Sequence, residues 1–273
     1  MSVNNEEHPT ILGALEAYLP DMVLIGGWVP EFYRRYSGLP WEGRLSRTTE
    51  FDLLVGASLP PGNRPTLREI LTETGLRPAR NEHFPADWVD VLSDQTVVEF
   101  LMPSSGPGIR DPVRPVDGQG YLGAIALPHL ELLRAFTLTL EVPLENSRIK
   151  VRVPTLGAYV VSKALSFSGR PTAMRSAEDK RAKDLVYIHD IMAAGRAATA
   201  RVESDLSEIA ATHQWDHAAS EAIERLETPA SVIGDAAAML VARDRISQVA
   251  ALAGIRGAVV DLRESIIKHF QPN

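Results

Sequence analysis

The chain of 273 residues contains no cysteine. That excludes a disulfide scaffold, a thiolate metal site and cysteine nucleophilic catalysis, and leaves nothing that argues for an oxidising compartment. Long apolar runs are missing too. Asp235, Arg243, Arg245 and Arg256 interrupt the Ala-rich C-terminal region, so no stretch approaches the 18 uncharged residues of a membrane span. The opening residues, MSVNNEEHPT, lack the basic start and apolar run of a secretory signal. The expected address is cytoplasmic, with no membrane attachment. Positive charge is in deficit: 28 Lys and Arg stand against 35 Asp and Glu, a net charge of −7. This argues against a general nucleic-acid binder held by nonspecific charge, though it leaves room for a local basic patch.

What remains is an ordinary globular composition, 45% hydrophobic and 23% charged, which excludes wholesale disorder, collagen-like sequence and coiled coil. The length suits one compact α/β core with a helical appendage. Met22 to Ile25 is a short apolar run ending at Gly26-Gly27, and Trp28 to Tyr36 then follows a helical pattern with Pro30 in its first turn. Phe51 to Val55 is a second strand, Thr66 to Thr74 a helix, and Trp88 to Leu92 with Thr96 to Leu101 a hairpin. Residues 103 to 120 are rich in glycine and proline and read as an irregular connection. Ala135 to Val142 and Ile149 to Val153 form another hairpin. From Thr155 the pattern turns helical: Thr155 is placed to cap a helix to about Phe167, and Ser176 with Asp179 to open one to about Ala194. The segment 202 to 270 reads as helices broken at Pro229 and at Gly254 to Gly257. The expected division is an α/β core over 1–153 and a mainly helical region over 154–273 that contributes to the active site.

Chemistry concentrates in three places: Gly26-Gly27-Trp28, the run Arg47-Thr48-Thr49-Glu50-Phe51-Asp52, and Val98-Glu99-Phe100. Strand side chains alternate, so Glu50 and Asp52 would share a face that Glu99 could join from a neighbouring strand. Three carboxylates on one face repel unless a divalent cation sits among them, and an oxygen-only shell suits Mg²⁺ or Mn²⁺. Such a cluster fits displacement at phosphorus on a nucleoside triphosphate. Glycines without Cβ would let phosphate approach the backbone at the start of a helix.

These residues resemble the nucleotidyltransferase superfamily of DNA polymerase β type, whose signature is a Gly-Gly or Gly-Ser turn, an acidic-x-acidic strand and a later third acidic residue. A second stretch is similar to the Lys and Lys-Asp motifs of AbiEii-type and MenT-type toxins of bacterial toxin-antitoxin pairs. It comprises Pro154-Thr155, Val161-Ser162-Lys163-Ala164-Leu165, Arg170 and Lys180-Arg181-Ala182-Lys183-Asp184-Leu185. Together the motifs cover residues 24 to about 192. The resemblance implies an α+β nucleotidyltransferase fold with a mixed β-sheet core and a C-terminal helical region. It implies Glu50, Asp52 and Glu99 as metal ligands, with Asp52 central, and Lys163 and Asp184 as further active-site residues. Gly26, Gly27, Arg47, Thr49, Lys163 and Lys183 are the implied nucleotide contacts. The reaction would move a nucleoside monophosphate from a triphosphate to an acceptor hydroxyl, a tRNA 3′ end or another RNA, with an antitoxin protein as partner. One departure stands out: Glu50 occupies a position where the family pattern usually has Asp.

Two other functions remain open. Gly26-Gly27-Trp28 is also similar to the start of some aminoglycoside and lincosamide nucleotidyltransferases, which act on small hydroxylated molecules. Glu50 leaves room for a noncatalytic module that binds a nucleotide or a partner. Each residue also has a structural account: Gly-Gly as a turn, Glu50 and Asp52 as a solvated strand edge, Lys163 as a snorkelling side chain, Asp184 as the ion-pair partner of Lys180. His213 and His217 have metal-ligand spacing but read as a helix-surface pair, since Gln214 stands where a zincin-type glutamate would be. His189-Asp190 resembles a metal-phosphohydrolase dipeptide without the further histidines. Five basic residues against two acidic ones from Arg170 to Lys183 could face phosphate or simply water.

Overall fold

The computed structural model describes residues 7–46, 48–79, 85–93, 95–104, 113–169, 175–227 and 230–271. The chain forms two compact units, Met1–Val29 with Thr48–Pro154, and Pro30–Arg47 with Thr155–Asn273. A mixed sheet dominates the first and helices the second, an α+β architecture.

In the first unit α1 (Glu7–Ala14) and a 3-10 turn (Glu16–Asp21) lead into β1 (Val23–Ile25), and Gly26-Gly27 turns the chain into α2 (Trp28–Tyr36). There follow β2 (Phe51–Leu54), α3 (Leu67–Glu73), β3 (Leu76–Pro78), β4 (Asp87–Asp90), β5 (Thr96–Pro103) and β6 (Val113–Pro115). The unit ends with β7 (Gly123–Leu127), α4 (Leu130–Ala135), β8 (Thr137–Pro143) and β9 (Arg148–Pro154). The sheet order is β1-β2-β5-β4-β3, with β7 on β5 and β6 on β7. Central β5 runs parallel to β2 and β7 and antiparallel to β4. Its eight residues leave room for β4 beside its first half and β7 beside its last three positions. The hairpin β8–β9 stands as a separate two-stranded sheet.

The register row Phe51–Val98–Trp88 crosses β2, β5 and β4, and all three side chains are fully buried. Because alternate residues point to opposite faces, burying this row sends the next one, which holds Asp52 and Glu99, to the other face. Helix α3 begins with a reciprocal capping box between Thr66 and Glu69. The stretch 103 to 120 departs from the irregular reading, since β6 lies within it and pairs with β7 across a turn where Gly118 and Gly120 take positive φ. Gln119, fully buried, then accepts a hydrogen bond from the Leu67 N–H at 2.7 Å and donates to the Leu59 carbonyl.

The second unit contains α5 (Leu156–Gly169), α6 (Arg175–Met192), α7 (Arg196–Ala210), α8 (Asp216–Arg225), α9 (Ala230–Asp244) and α10 (Gln248–Phe270). Helix α6 is central: Ala182, Leu185, Ile188 and Ile191 are fully buried, and α5, α9 and α10 pack around it. The expected break at Gly254 to Gly257 does not occur, because α10 runs through it. Its apolar face, Ala251, Ile255, Ala258, Leu262 and Ile266, keeps helical spacing across the glycines. Gly254 serves close approach instead: a Cβ there would stand 3.0 Å from His189 Nε2 on α6.

Thr155 does not cap α5 with its side chain; its hydroxyl is buried and makes no hydrogen bond. The first N–H groups are met by Asp205 of α7, which accepts from Gly157 at 3.0 Å and from Leu156. A Cβ on Gly157 would fall 2.6 Å from that of Asp205, so the close approach requires glycine. Burial pushes the Asp205 carboxyl above its ordinary value, against the pull of these donors and of Arg201. The side chains of the expected Ser176–Asp179 capping box and the expected break at Pro229 lie outside the described residues. Among the described residues no helix is long and apolar enough to cross a membrane.

Candidate active site

Parallel pairing of β2 with β5 sets Asp52 directly beside Glu99, and antiparallel pairing of β4 with β5 sets Asp87 on the other side of Glu99. Register partners project from one face of a sheet, so the three carboxylates form a row, with neighbouring strands about 4.8 Å apart. Asp52 and Glu99 are the residues expected there. Asp87 is an addition, and its Oδ1 is buried and takes no hydrogen bond.

Gly26 closes one side of this row. Its φ is +69°, and the place a Cβ would take lies 1.6 Å from Asp52 Oδ2. The missing side chain is therefore filled by the Asp52 carboxylate itself, which leans over the turn. Gly27, which is buried, leads into α2, whose first residue Trp28 stacks on Phe51 with centroids 5.0 Å apart and planes 6° from parallel. This stack anchors the turn on the core face beneath β2. Glu50 stands one residue ahead of β2, so strand register does not tie it to Asp52, and exposed Thr49 precedes it. Arg47 lies outside the described residues.

Among the described residues no group of three or more His, Asp or Glu side chains is close enough to hold a metal ion. The donor set still suits a hard divalent cation. Asp52 and Glu99 offer only oxygen, and Mg²⁺ is commonly held by one or two carboxylates completed by substrate phosphates and water.

In the second unit Lys163 of α5 donates to Asp184 Oδ1 of α6 at 2.9 Å, and Ser166 donates to Asp184 Oδ2 at 2.9 Å. The Asp184 side chain is only 3% exposed and that of Lys163 14%. Lys180, four residues before Asp184 on the same helix, is exposed. Lys163 Nζ also lies 5.0 Å from the Tyr187 ring centroid and 5.6 Å from that of Tyr159. Lys183 Nζ lies 5.8 Å from the same Tyr187 ring. Arg170 and the side chains of 175–179 lie outside the described residues, so the basic stretch is seen only from Lys180 on.

The histidine motifs have structural roles. His213 sits at φ +54° in the turn before α8, not on a helix with His217. Asp190 belongs to an ion-pair hub: Arg243 of α9 donates to both its oxygens at 2.7 and 2.8 Å, and the Ser46 N–H donates to Oδ2 at 2.8 Å. Burial alone would lower the Arg243 guanidinium, but hydrogen bonds to Asp244 and Asp190 hold it above its ordinary value. A cleft of about 210 Å³ beside this hub is lined by Ser46, Lys183, Val186, Met239 and Arg243.

A Gly-Gly turn against an in-register carboxylate pair, and a helical unit with a buried Lys-Asp pair, are features that family membership can test. A search of curated proteins and one of solved structures returned no match. The model of a family described as nucleotidyltransferase, however, matches residues 10–213. That span takes in Gly26, Asp52, Glu99, Lys163 and Asp184 and covers most of the chain, so this chain belongs to the nucleotidyltransferase family.

Proposed function

We propose that the protein transfers a nucleoside monophosphate from a nucleoside triphosphate to an acceptor hydroxyl with the help of Mg²⁺ or Mn²⁺, and that the acceptor is the 3′ end of an RNA, tRNA foremost. The observation that carries this reading is the in-register pair Asp52 and Glu99 beside Gly26. A bound divalent cation would supply charge neutralisation at the phosphates and an acidified hydroxyl. Asp52 and Glu99 would hold it; Glu50, one residue ahead of β2, is a third ligand on the strength of the resemblance alone. Gly26 and Gly27 keep the turn free of side chains, so that the start of α2 can meet phosphate with backbone N–H groups. Lys163, kept oriented by Asp184, would neutralise the triphosphate, and Lys183 would add a second cation. Arg47 and Thr49 are further nucleotide contacts on the strength of the resemblance alone.

The choice of RNA over a small hydroxylated acceptor rests on the likeness of the Lys163 and Lys183-Asp184 motifs to the AbiEii-type and MenT-type toxins. The same likeness makes an antitoxin the protein partner. Purified protein incubated with each α-labelled triphosphate, total RNA and either metal should label an RNA band in the tRNA size range. Label appearing on an aminoglycoside but on no RNA would replace the acceptor, and label on neither would leave a noncatalytic module.

A further inference from the structure

The motifs account for Lys163, Lys183 and Asp184 but say nothing of the aromatic ring that both lysines approach. That ring belongs to Tyr187, one turn after Lys183 on α6 and buried at 3% exposure. We propose that Tyr187 is a positioning residue for polyphosphate binding, its ring holding the Lys163 and Lys183 ammonium groups in place as one anion clamp. This rests on the reading of those lysines as triphosphate contacts.

Of the two ammonium groups, that of Lys163 engages the Asp184 carboxylate at 2.9 Å. Among the described residues Lys183 has no carboxylate partner; its described contact is the ring 5.8 Å away. A half-buried lysine on a four-carbon stem would otherwise swing toward water. The negative face of an aromatic ring attracts both cations without neutralising either, so the pair keeps an excess positive charge. A carboxylate in place of the ring would hold the lysines as well but cancel that charge. Lys183 also lines the cleft of about 210 Å³, where Val186 and Met239 form an apolar wall. Beside such an apolar wall an anion gains more from the cation than it would in open water. The ligand class that fits is a polyphosphate.

The test varies the ring's electrostatics at constant shape. Tyr187→Phe, followed by Phe analogues carrying one, two and three ring fluorines, would be titrated with inorganic tripolyphosphate and with each of the four ribonucleoside triphosphates in Mg²⁺. Melting temperatures would be recorded alongside. Tyr187→Phe should bind within about twofold of the parent, and each added fluorine should weaken binding, reaching roughly tenfold for the trifluoro ring. Melting temperature should not follow that order. Affinity flat across the fluorinated series, while Lys163→Ala and Lys183→Ala each weaken binding, would overturn the role of Tyr187 and leave the lysine reading intact. Should neither lysine variant change affinity for any probe, the reading beneath it fails as well.

Discussion

Gly26 shows how much one missing methyl group can decide. Its φ of +69° is readily held by glycine, and Asp52 Oδ2 lies 1.6 Å from where a Cβ would stand. Gly26→Ala therefore has to strain the turn, by about 1 to 2 kcal/mol for a left-handed residue, and also push the Asp52 carboxylate off the row it shares with Glu99. Transfer of labelled nucleotide should drop by at least about 100-fold, while the loss of stability stays near that strain. A variant that melts like the parent and transfers at the parent's rate would show that the leaning carboxylate is not required. Asp190 carries a different burden. Its side chain is 1% exposed and Arg243 meets both of its oxygens. Arg243→Ala leaves that carboxylate buried with the hydrogen bond from the Ser46 N–H and with His189 Nδ1 3.6 Å away, and the cost expected for one partner of a buried pair is about 3 to 5 kcal/mol. Urea unfolding measures it. Removing both charges at once, with Asp190→Leu and Arg243→Met, should recover most of the loss, since two apolar groups leave nothing unpaired.

Helices and strands were legible from the sequence to the extent that their signals are local. The Gly-Gly turn, β2, the helix α3, the β4–β5 hairpin and β8–β9 were all readable from apolar runs between turn residues. What sequence spacing cannot show is which strand lies beside which. Asp87 joins Glu99 only through the antiparallel register of β4, and the run Asp87-Trp88-Val89-Asp90 does not alternate, since the register shifts between Trp88 and Val89. The cap of α5 failed as a local reading for the same reason, because the carboxylate that meets its N–H groups comes from Asp205, 48 residues away from Gly157. Gly254 misled in the opposite direction: a residue that usually ends a helix here lets α10 press against His189. The acidic stretch from Val202 to Glu227 is tied into the helical unit: Glu203, Asp205, Glu221 and Glu227 pair with Lys268, Arg201, Arg225 and Arg263. Glu203 joins α7 to α10 and gives a pH test of that link. Burial raises its carboxyl, but hydrogen bonds from Lys268, Ser265 and His269 win and bring it down to about 2. A depressed acid stabilises the fold above its unfolded value, near 4.3, and that contribution fades as pH falls toward 2. Glu203→Gln should therefore flatten the acid side of the melting curve between those two values and lower the melting temperature at neutral pH. An unchanged acid limb would mean that the link carries no stability.

At the scale of the whole molecule, the family match ends at residue 213, so α8, α9 and α10 lie beyond it. Yet α9 and α10 pack on α6, the helix that carries Lys183, Asp184 and Tyr187, through the Arg243–Asp190 pair and the close approach of Gly254 to His189. The last helices thus hold the element that carries the proposed anion clamp. Ligand binding should consequently be felt by the folding equilibrium of the chain. A ligand present at 100 times its dissociation constant and bound only by the native state adds about 2.7 kcal/mol. In a chain of this size that corresponds to a rise of roughly 5 to 11 °C. Nucleoside triphosphate with Mg²⁺ or Mn²⁺ should produce such a shift, and triphosphate with a chelator a much smaller one. Asp52→Asn separates the two parts of the effect. It removes one charge from the row Asp52–Glu99–Asp87 at nearly constant volume, so the free protein should melt no lower than the parent and higher if like-charge repulsion is relieved. The metal-dependent part of the shift should disappear, whereas the part seen with chelator, which rests on Lys163 and Lys183, should persist. A full metal-dependent shift in Asp52→Asn would remove Asp52 from the set of metal ligands.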